Sequence, residues 1–542
     1  MADDLNPEQS AAVRHIDGPL LVLAGAGSGK TRVISYKIAY LIDECGLAPR
    51  HITAVTFTNK AAREMKARVA KLRQGRDSRG LSISTFHTFG LSILRREHAL
   101  AGYKPGFSIL DAQDAETLLK GLLQKERHAD AEQTAGMQWR ISGWKNELIG
   151  PAQALSQAGD ELEAQAARLY AAYQRQLRAY NAVDFDDLIL GPVQLFHDHP
   201  QALERWQQRI HYLLVDEYQD TNGSQYQLVL QLVGLRQTFT VVGDDDQSIY
   251  AWRGARPENL AQLQRDFPQL RLIKLERNYR SSGRILHAAN RLIANNPHLF
   301  EKRLWSGLGP GEQIRILECR NEEQEAGRVV SRLLAQRFNQ GGAFGDYAIL
   351  YRGNHQSRIF EKLLREHNIP YFISGGTSFF ARSEVKDVMA YLRLLANPDD
   401  DAALLRVINL PRREIGPSTL EKLAAYAEQR QTSLLAACSG LGLEQVLAAR
   451  PRERLQAFAE WMGGYQQQTE NGDPVSLLRR LLQYMDYPGW LREISASDRA
   501  AERRLENVEE LVQWLGKLHK AEQGENGLAG LVNYLTLMDV LE

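Results

Sequence analysis

Leu20-Leu21-Val22-Leu23-Ala24-Gly25-Ala26-Gly27-Ser28-Gly29-Lys30-Thr31 reads as strand, loop and helix start. Leu20 to Leu23 is a continuous apolar run, as a strand buried on both faces requires. Val33, Ile34, Tyr36, Lys37, Ile38, Tyr40 and Leu41 then fit a helix. Successive glycines let backbone N–H groups turn inward around a phosphate, and the helix N-terminus adds partial positive charge. Lys30 is placed to reach β- and γ-phosphates, and the Thr31 hydroxyl to take a position on Mg²⁺. The phosphate-loop pattern usually begins with glycine, where this chain has Ala24. The plain alternative, a glycine turn that happens to carry a lysine, is disfavoured because the motif sits between a strand and a helix.

The remaining composition is that of an ordinary soluble globular protein. The 542 residues predict several domains, with 44% hydrophobic and 24% charged residues. Lys+Arg and Asp+Glu both number 66, so no overall field attracts nucleic acid and any such binding must arise in local grooves. Cys45, Cys319 and Cys438 lie far apart without metal-ligand spacing, which fits a reduced compartment. Met1-Ala2-Asp3-Asp4 is acidic rather than a signal peptide, and no apolar run is long enough for a bilayer. The expectation is a cytoplasmic protein with no membrane association.

Leu5-Asn6-Pro7-Glu8-Gln9 precedes a short amphipathic helix and then the first strand, and the Gln9 amide offers the donor and acceptor that an adenine edge needs. Ile52 to Phe57 and Leu81 to Ser84 read as further strands alternating with helices, the pattern of a parallel α/β sheet with binding residues at its strand C-terminal ends. From about Thr88 to Tyr180 the pattern is helical, and Trp139, Ile141, Trp144 and Leu148 read as core or interface. Asp184, Asp186 and Asp187 read as a helix cap rather than a metal site.

Tyr212-Leu213-Leu214-Val215-Asp216-Glu217 is an apolar strand ending in an acid pair. Downstream of a phosphate loop it reads as the metal-and-water strand, with Asp216 holding Mg²⁺ through water and Glu217 polarising the attacking water. Phe239 to Gly243 is a further strand. Among Asp244, Asp245 and Asp246, adjacent acids are not expected to converge on one ion. Gln247 is suited to a γ-phosphate, while Tyr250 and Trp252 read either as core or as a stacking platform for unpaired bases. Tyr279 is suited to stack on adenine and Arg280 to pair with phosphate oxygens. A second α/β pattern follows, with strands expected at Ile314–Leu317, Tyr347–Tyr351 and Tyr371–Ile373. From Ser374 the chain reads as helical.

These motifs in this order resemble the superfamily 1 DNA helicases of the UvrD/Rep family. The resemblance rests on Val55-Thr56-Phe57-Thr58-Asn59-Lys60-Ala61-Ala62, Asp216-Glu217-Tyr218-Gln219-Asp220, Gly243 through Trp252, and Asn278-Tyr279-Arg280. Tyr351 to Gln356 and Ile373 to Phe380 are similar to the Rep branch. The resemblance implies an α/β fold of two RecA-like P-loop motor domains with two mostly helical insertions. On that basis residues 1–87 and 187–276 form the first motor and 88–186 its insertion. Residues 277–373 begin the second motor, and 374–542 form the second insertion.

It also implies ATP and Mg²⁺ as cofactors, single-stranded DNA and single-strand/duplex junctions as partners, 3′→5′ translocation, and work in DNA replication or repair. Gln9 and Tyr279 would hold adenine, and Ala24 to Gly29 would cradle the phosphates. Lys30, Thr31, Arg32, Asp216, Glu217, Gln247 and Arg280 would serve phosphate, metal and water. Phe57, Asn59, His87, Phe185, Tyr250 and Trp252 would line the DNA path, which favours stacking for the last two. Ile415-Gly416 and Pro417-Ser418-Thr419 match a duplex-backbone loop, except that Glu414 stands where many relatives have glycine.

Two later family segments are absent: Thr-Leu-His-x-x-Lys-Gly-Leu-Glu, and one ending Thr-Arg-Ala that carries an arginine finger. The expectation is therefore an incomplete second motor, with bare sheet edges and apolar surface, that binds ATP and single strands with little hydrolysis or unwinding.

Overall fold

The computed structural model describes residues 4–125, 131–373, 379–469, 473–520 and 527–540. At its centre is one parallel sheet: β1 (Leu20–Ala24), β2 (Ile52–Thr56), β3 (Ser82–Thr85), β6 (Tyr212–Val215), β7 (Phe239–Gly243) and β8 (Arg271–Leu275). Their order across the sheet is β3-β2-β6-β7-β1-β8. Every residue of β1, β2, β6 and β7 is buried, as their apolar, β-branched-rich sequences dictate for a sheet covered on both faces.

One face is covered by Ala12, Val33, Ile34, Ile38, Met65 and Val69 from the helices Pro7–Arg14, Lys30–Asp43 and Asn59–Leu72. The other is covered by Phe86, Phe89, Ile93, Ile189, Phe196 and Trp206, from the helices Phe86–Arg96, Asp187–Asp198 and Pro200–Arg209. The sheet order sets the site. β7 lies between β1 and β6, so the loops after these three strands emerge side by side at one edge.

Two short strands, β4 (Ser108–Ile109) and β5 (Ala182–Val183), pair in parallel at the base of a helical block. The block has its own core of Leu119, Ile141, Tyr170, Tyr173 and Leu177. Trp144 and Leu148 are packed against cores as expected, but Trp139 is 69% exposed. Met137, Ile141 and Lys145 carry the buried stripe of their helix at four-residue spacing, which leaves position 139 on the opposite side. The Asp184 carboxylate does accept from the Asp187 backbone N–H, at 2.9 Å. Sequence gave no sign of Lys145, whose fully buried ammonium lies 2.6 Å from Asp184 and 2.9 Å from Asp187.

Residues 277–373 depart from expectation. β9 (Arg277–Asn278) pairs with β10 (Trp305–Ser306). The helices Gly283–Ile293, Glu322–Gln340 and Ser357–Glu366 form, but the expected strands at 314–317, 347–351 and 371–373 do not. A strand exists only when a neighbour completes its ladder, and none runs alongside these segments among the described residues. Their apolar side chains lie bare: Ile316 is 94%, Leu350 92% and Phe372 92% exposed.

The remaining chain is helical around Val388, Tyr391, Leu404, Leu455, Leu478 and Leu511. It docks on the first helical block through Lys386–Asp111, at 3.0 Å, and the Arg393–Asp114 pair. Of the Ile373–Phe380 motif, residues 374–378 lie outside the described residues. Glu414 sits at φ +55°, a left-handed conformation in which glycine is unstrained.

The Lys145→Met variant leaves two buried carboxylates without their cation. Its chemical unfolding should show a loss of about 3–5 kcal/mol. A loss below about 1 kcal/mol would show that the cluster contributes little to stability.

Candidate nucleotide and nucleic-acid site

The loop after β1 closes on itself through its own hydrogen bonds. Ser28 Oγ donates to the Gly25 carbonyl at 2.7 Å, and Gly29, at φ +97°, opens the helix that begins with Lys30. A Cβ at Gly29 would lie 2.8 Å from Gln9 Nε2, so the close approach of the N-terminal helix demands glycine there. Gln9 is buried; its Nε2 donates to the Ser28 carbonyl at 2.8 Å and its Oε1 accepts from the Asn6 N–H in a capping box. Gln9 therefore straps the loop, a task that its position in the sequence did not reveal.

Lys30 Nζ lies 2.8 Å from Glu217 Oε2. Glu217 reaches it because its backbone turns left-handed immediately after β6, at φ +51° and ψ +43°, a strained conformation for a residue with a Cβ. Gln219 Nε2 donates to the same Glu217 oxygen at 3.0 Å, and Gln219 Oε1 accepts from the Asp244 N–H at 2.9 Å. Gln247 turns its amide onto the Asp244 carboxylate. Lys30, Glu217 and Gln247 thus belong to one hydrogen-bonded path joining the ends of β1, β6 and β7.

Asp216 is 3% exposed, and Lys30 hydrogen-bonds to its neighbour. Burial, then the charge of Glu217, push its carboxyl up to about 7 against the opposing pull of Lys30. The buried Asp216 carboxylate and the Thr31 hydroxyl, in the first turn of the helix that Lys30 opens, are oxygen donors of the kind a hard divalent cation takes.

Tyr279 is half-exposed, accepts from Asn6 Nδ2 at 3.0 Å and carries the Arg277 guanidinium 5.0 Å over its ring. Its backbone N–H donates to the Gly27 carbonyl at 2.9 Å, which holds Tyr279 and the exposed Arg280 against the phosphate loop. Arg32 is directed elsewhere, donating to the Asp4 carbonyl at 2.7 Å and lying over Tyr36.

The six residues assigned to a DNA path fall into separate contacts. Phe57 packs on Phe86, and Asn59 donates to the Leu537 carbonyl at 3.3 Å. His87 meets Phe185 edge-on at 6.1 Å. Tyr250 and Trp252 lie 6.3 Å apart and are 37% and 64% exposed, so they are surface rather than core.

The three aspartates do draw together, but around a lysine. Their carboxylate oxygens gather within 4.8 Å of one another. The reason is Lys302, whose ammonium lies 2.6 Å from Asp244 and 3.0 Å from Asp246 and also pairs with Asp245. Fifty-odd residues of intervening chain hid this partner, as 273 residues hid the contact of Asn6 with Tyr279.

Residues 5–268 match the UvrD/REP helicase N-terminal domain family, and residues 273–542 match the UvrD-like helicase C-terminal domain family. The chain is 54% identical over 540 residues to the ATP-dependent DNA helicase Rep of Salmonella typhimurium, covering 99% of this chain and 80% of that protein. Identity to the Escherichia coli protein of the same name is 53% with the same coverage. To the ATP-dependent DNA helicase PcrA of Staphylococcus aureus it is 41% over 515 residues, covering 94% of this chain and 70% of that one. With α/β architecture and the motif residues in place, the chain belongs to the UvrD/Rep helicase family.

Proposed function

We propose that this protein is an ATP-dependent DNA helicase that translocates 3′→5′ along single strands, with Mg²⁺ as the partner of its nucleotide. The observation that carries the reading is the Lys30–Glu217 pair at the meeting point of three strand ends. Lys30 holds a charge that a γ-phosphate would take over, which releases Glu217 to orient water. Asp216 and Thr31 would hold Mg²⁺, which when bound offsets the negative charge of the phosphates. Tyr279 offers a ring to adenine and Arg280 a guanidinium to phosphate. Tyr250 and Trp252 offer an exposed platform to unpaired bases. Single-strand/duplex junctions as substrate, replication or repair as context and the cytoplasm as location follow from this reading. No helix among the described residues is long and apolar enough to cross a membrane.

A second reading is favoured by the bare segments at 314–317, 347–351 and 371–373. The chain would then bind ATP and single strands without effective hydrolysis. ATP turnover measured with and without oligo(dT), alongside strand displacement, separates the two. DNA-stimulated turnover supports the motor, and binding of both ligands without turnover supports the second reading. Failure to bind either contradicts both. In each case Lys30→Ala should abolish tight ATP binding with an unchanged circular dichroism spectrum.

Asp216 yields a separate expectation. Its folded carboxyl titrates near 7 against about 4 in an unfolded chain, so the stability of the protonated form is present at low pH and lost as pH rises through 7. Asp216→Asn should therefore raise the Tm of Mg²⁺-free protein at pH 8, by on the order of 2–4 kcal/mol in stability, with a smaller gain at pH 5. An equal gain at both pH values would contradict the assignment.

A further inference from the structure

The contacts of Lys302 reach further than a local ion pair. Its side chain is 4% exposed and faces the carboxylates of Asp244, Asp245 and Asp246. Burial opposes its charge, yet Asp244 and Asp245 more than offset this and hold the ammonium protonated. Asp244 Oδ1 has that ammonium 2.6 Å away, with no hydrogen-bond donor aligned on it among the described residues. The chain leading to Lys302 wraps the same loop. The backbone N–H groups of Leu299 and Phe300 each lie 3.3 Å from Asp245 Oδ2, and His298 Nδ1 lies 3.1 Å from Asp246.

The chain leaving Lys302 grips the phosphate loop. A Cβ at Gly25 would lie 2.2 Å from Leu304, so Leu304 rests directly on that glycine. Trp305 and Ser306 pair with Arg277 and Asn278, and Asn278 donates to the Ala26 carbonyl. The aspartate loop in turn connects in both directions. Toward the nucleotide, Asp244 N–H meets Gln219, which meets Glu217, which meets Lys30. Toward the surface, the chain runs from Asp246 through Gln247 and Ser248, whose hydroxyl donates to the Gln219 carbonyl at 3.3 Å, into Tyr250 and Trp252.

We propose that Lys302 is a positioning residue that makes the aspartate loop a rigid coupler between the nucleotide site and the Tyr250–Trp252 platform. The inference rests on the ATP- and single-strand-binding reading above. When phosphate takes Lys30 from Glu217, the change passes through Gln219 to the Asp244 backbone. With its carboxylates held by one ammonium, the loop shifts as a unit and carries the two aromatic rings with it. Without that ammonium the carboxylates repel one another, and the loop relaxes without moving the rings.

Coupling of this kind is a ratio of affinities and is reciprocal. The test uses the full chain, a non-hydrolysable fluorescent ATP analogue and a labelled dT oligonucleotide, each titrated with and without saturating amounts of the other. Wild-type protein should show roughly fivefold or greater coupling. Lys302→Met should bring the ratio to within about twofold of one, while each ligand alone binds within about threefold of wild type. A thermal melt checks folding. Should Lys302→Met fail to fold, the Asp245→Asn/Lys302→Met double variant removes one carboxylate together with the cation and should show the same loss. Coupling retained in the folded variants would overturn the proposal. So would absence of coupling in wild type, or loss of both separate affinities in parallel with the melt, which marks a merely structural role. Wild-type protein that binds neither ligand would overturn the underlying reading instead.

Discussion

A lysine ammonium at the mouth of a glycine loop must be balanced by an anion, and in this protein Glu217 supplies it. The 2.8 Å contact between Lys30 and Glu217 accounts for much of the surrounding geometry. It explains the left-handed backbone at Glu217, which turns the side chain across the strand ends at a local cost of about 1–3 kcal/mol. It also explains Gln219, buried and spent on both Glu217 and Asp244. The ends of β1, β6 and β7 are thus tied together through Glu217, which supplies the anion facing Lys30.

The same region concentrates groups that weaken the fold. Asp216 is buried with its carboxyl raised to about 7, and Asp220 is raised to about 6 by burial and then by Glu217. The sheet beneath offsets these losses, since β1, β2, β6 and β7 contribute only buried residues. Placing the least stable groups at the ends of the most stable strands keeps the strain local.

What the sequence made legible was local. Leu20 to Thr31, and Tyr212 to Glu217, fixed two strands and their terminal chemistry because each signal lies within a dozen residues. The six-stranded order then brought those ends together, along with Gln247 after β7. What sequence did not reveal depends on partners distant in the chain. Lys302 meets aspartates more than fifty residues away, and Asn6 meets Tyr279 across 273 residues. The segments 314–317, 347–351 and 371–373 carry strand-like composition, but a strand also needs a neighbour. Trp139 is outside the core for a simpler reason: an aromatic residue near a buried stripe is not on it unless its helical spacing agrees.

The central claim is that Glu217 occupies the charge that a nucleotide must take, and affinity measures this most directly. Glu217→Gln removes the competing carboxylate while leaving Lys30 and the phosphate loop intact. Titration with a fluorescent, non-hydrolysable ATP analogue should show tighter binding than wild type, by on the order of 1 kcal/mol or about fivefold for a partly exposed pair. Unchanged or weaker binding in a folded variant would contradict the account.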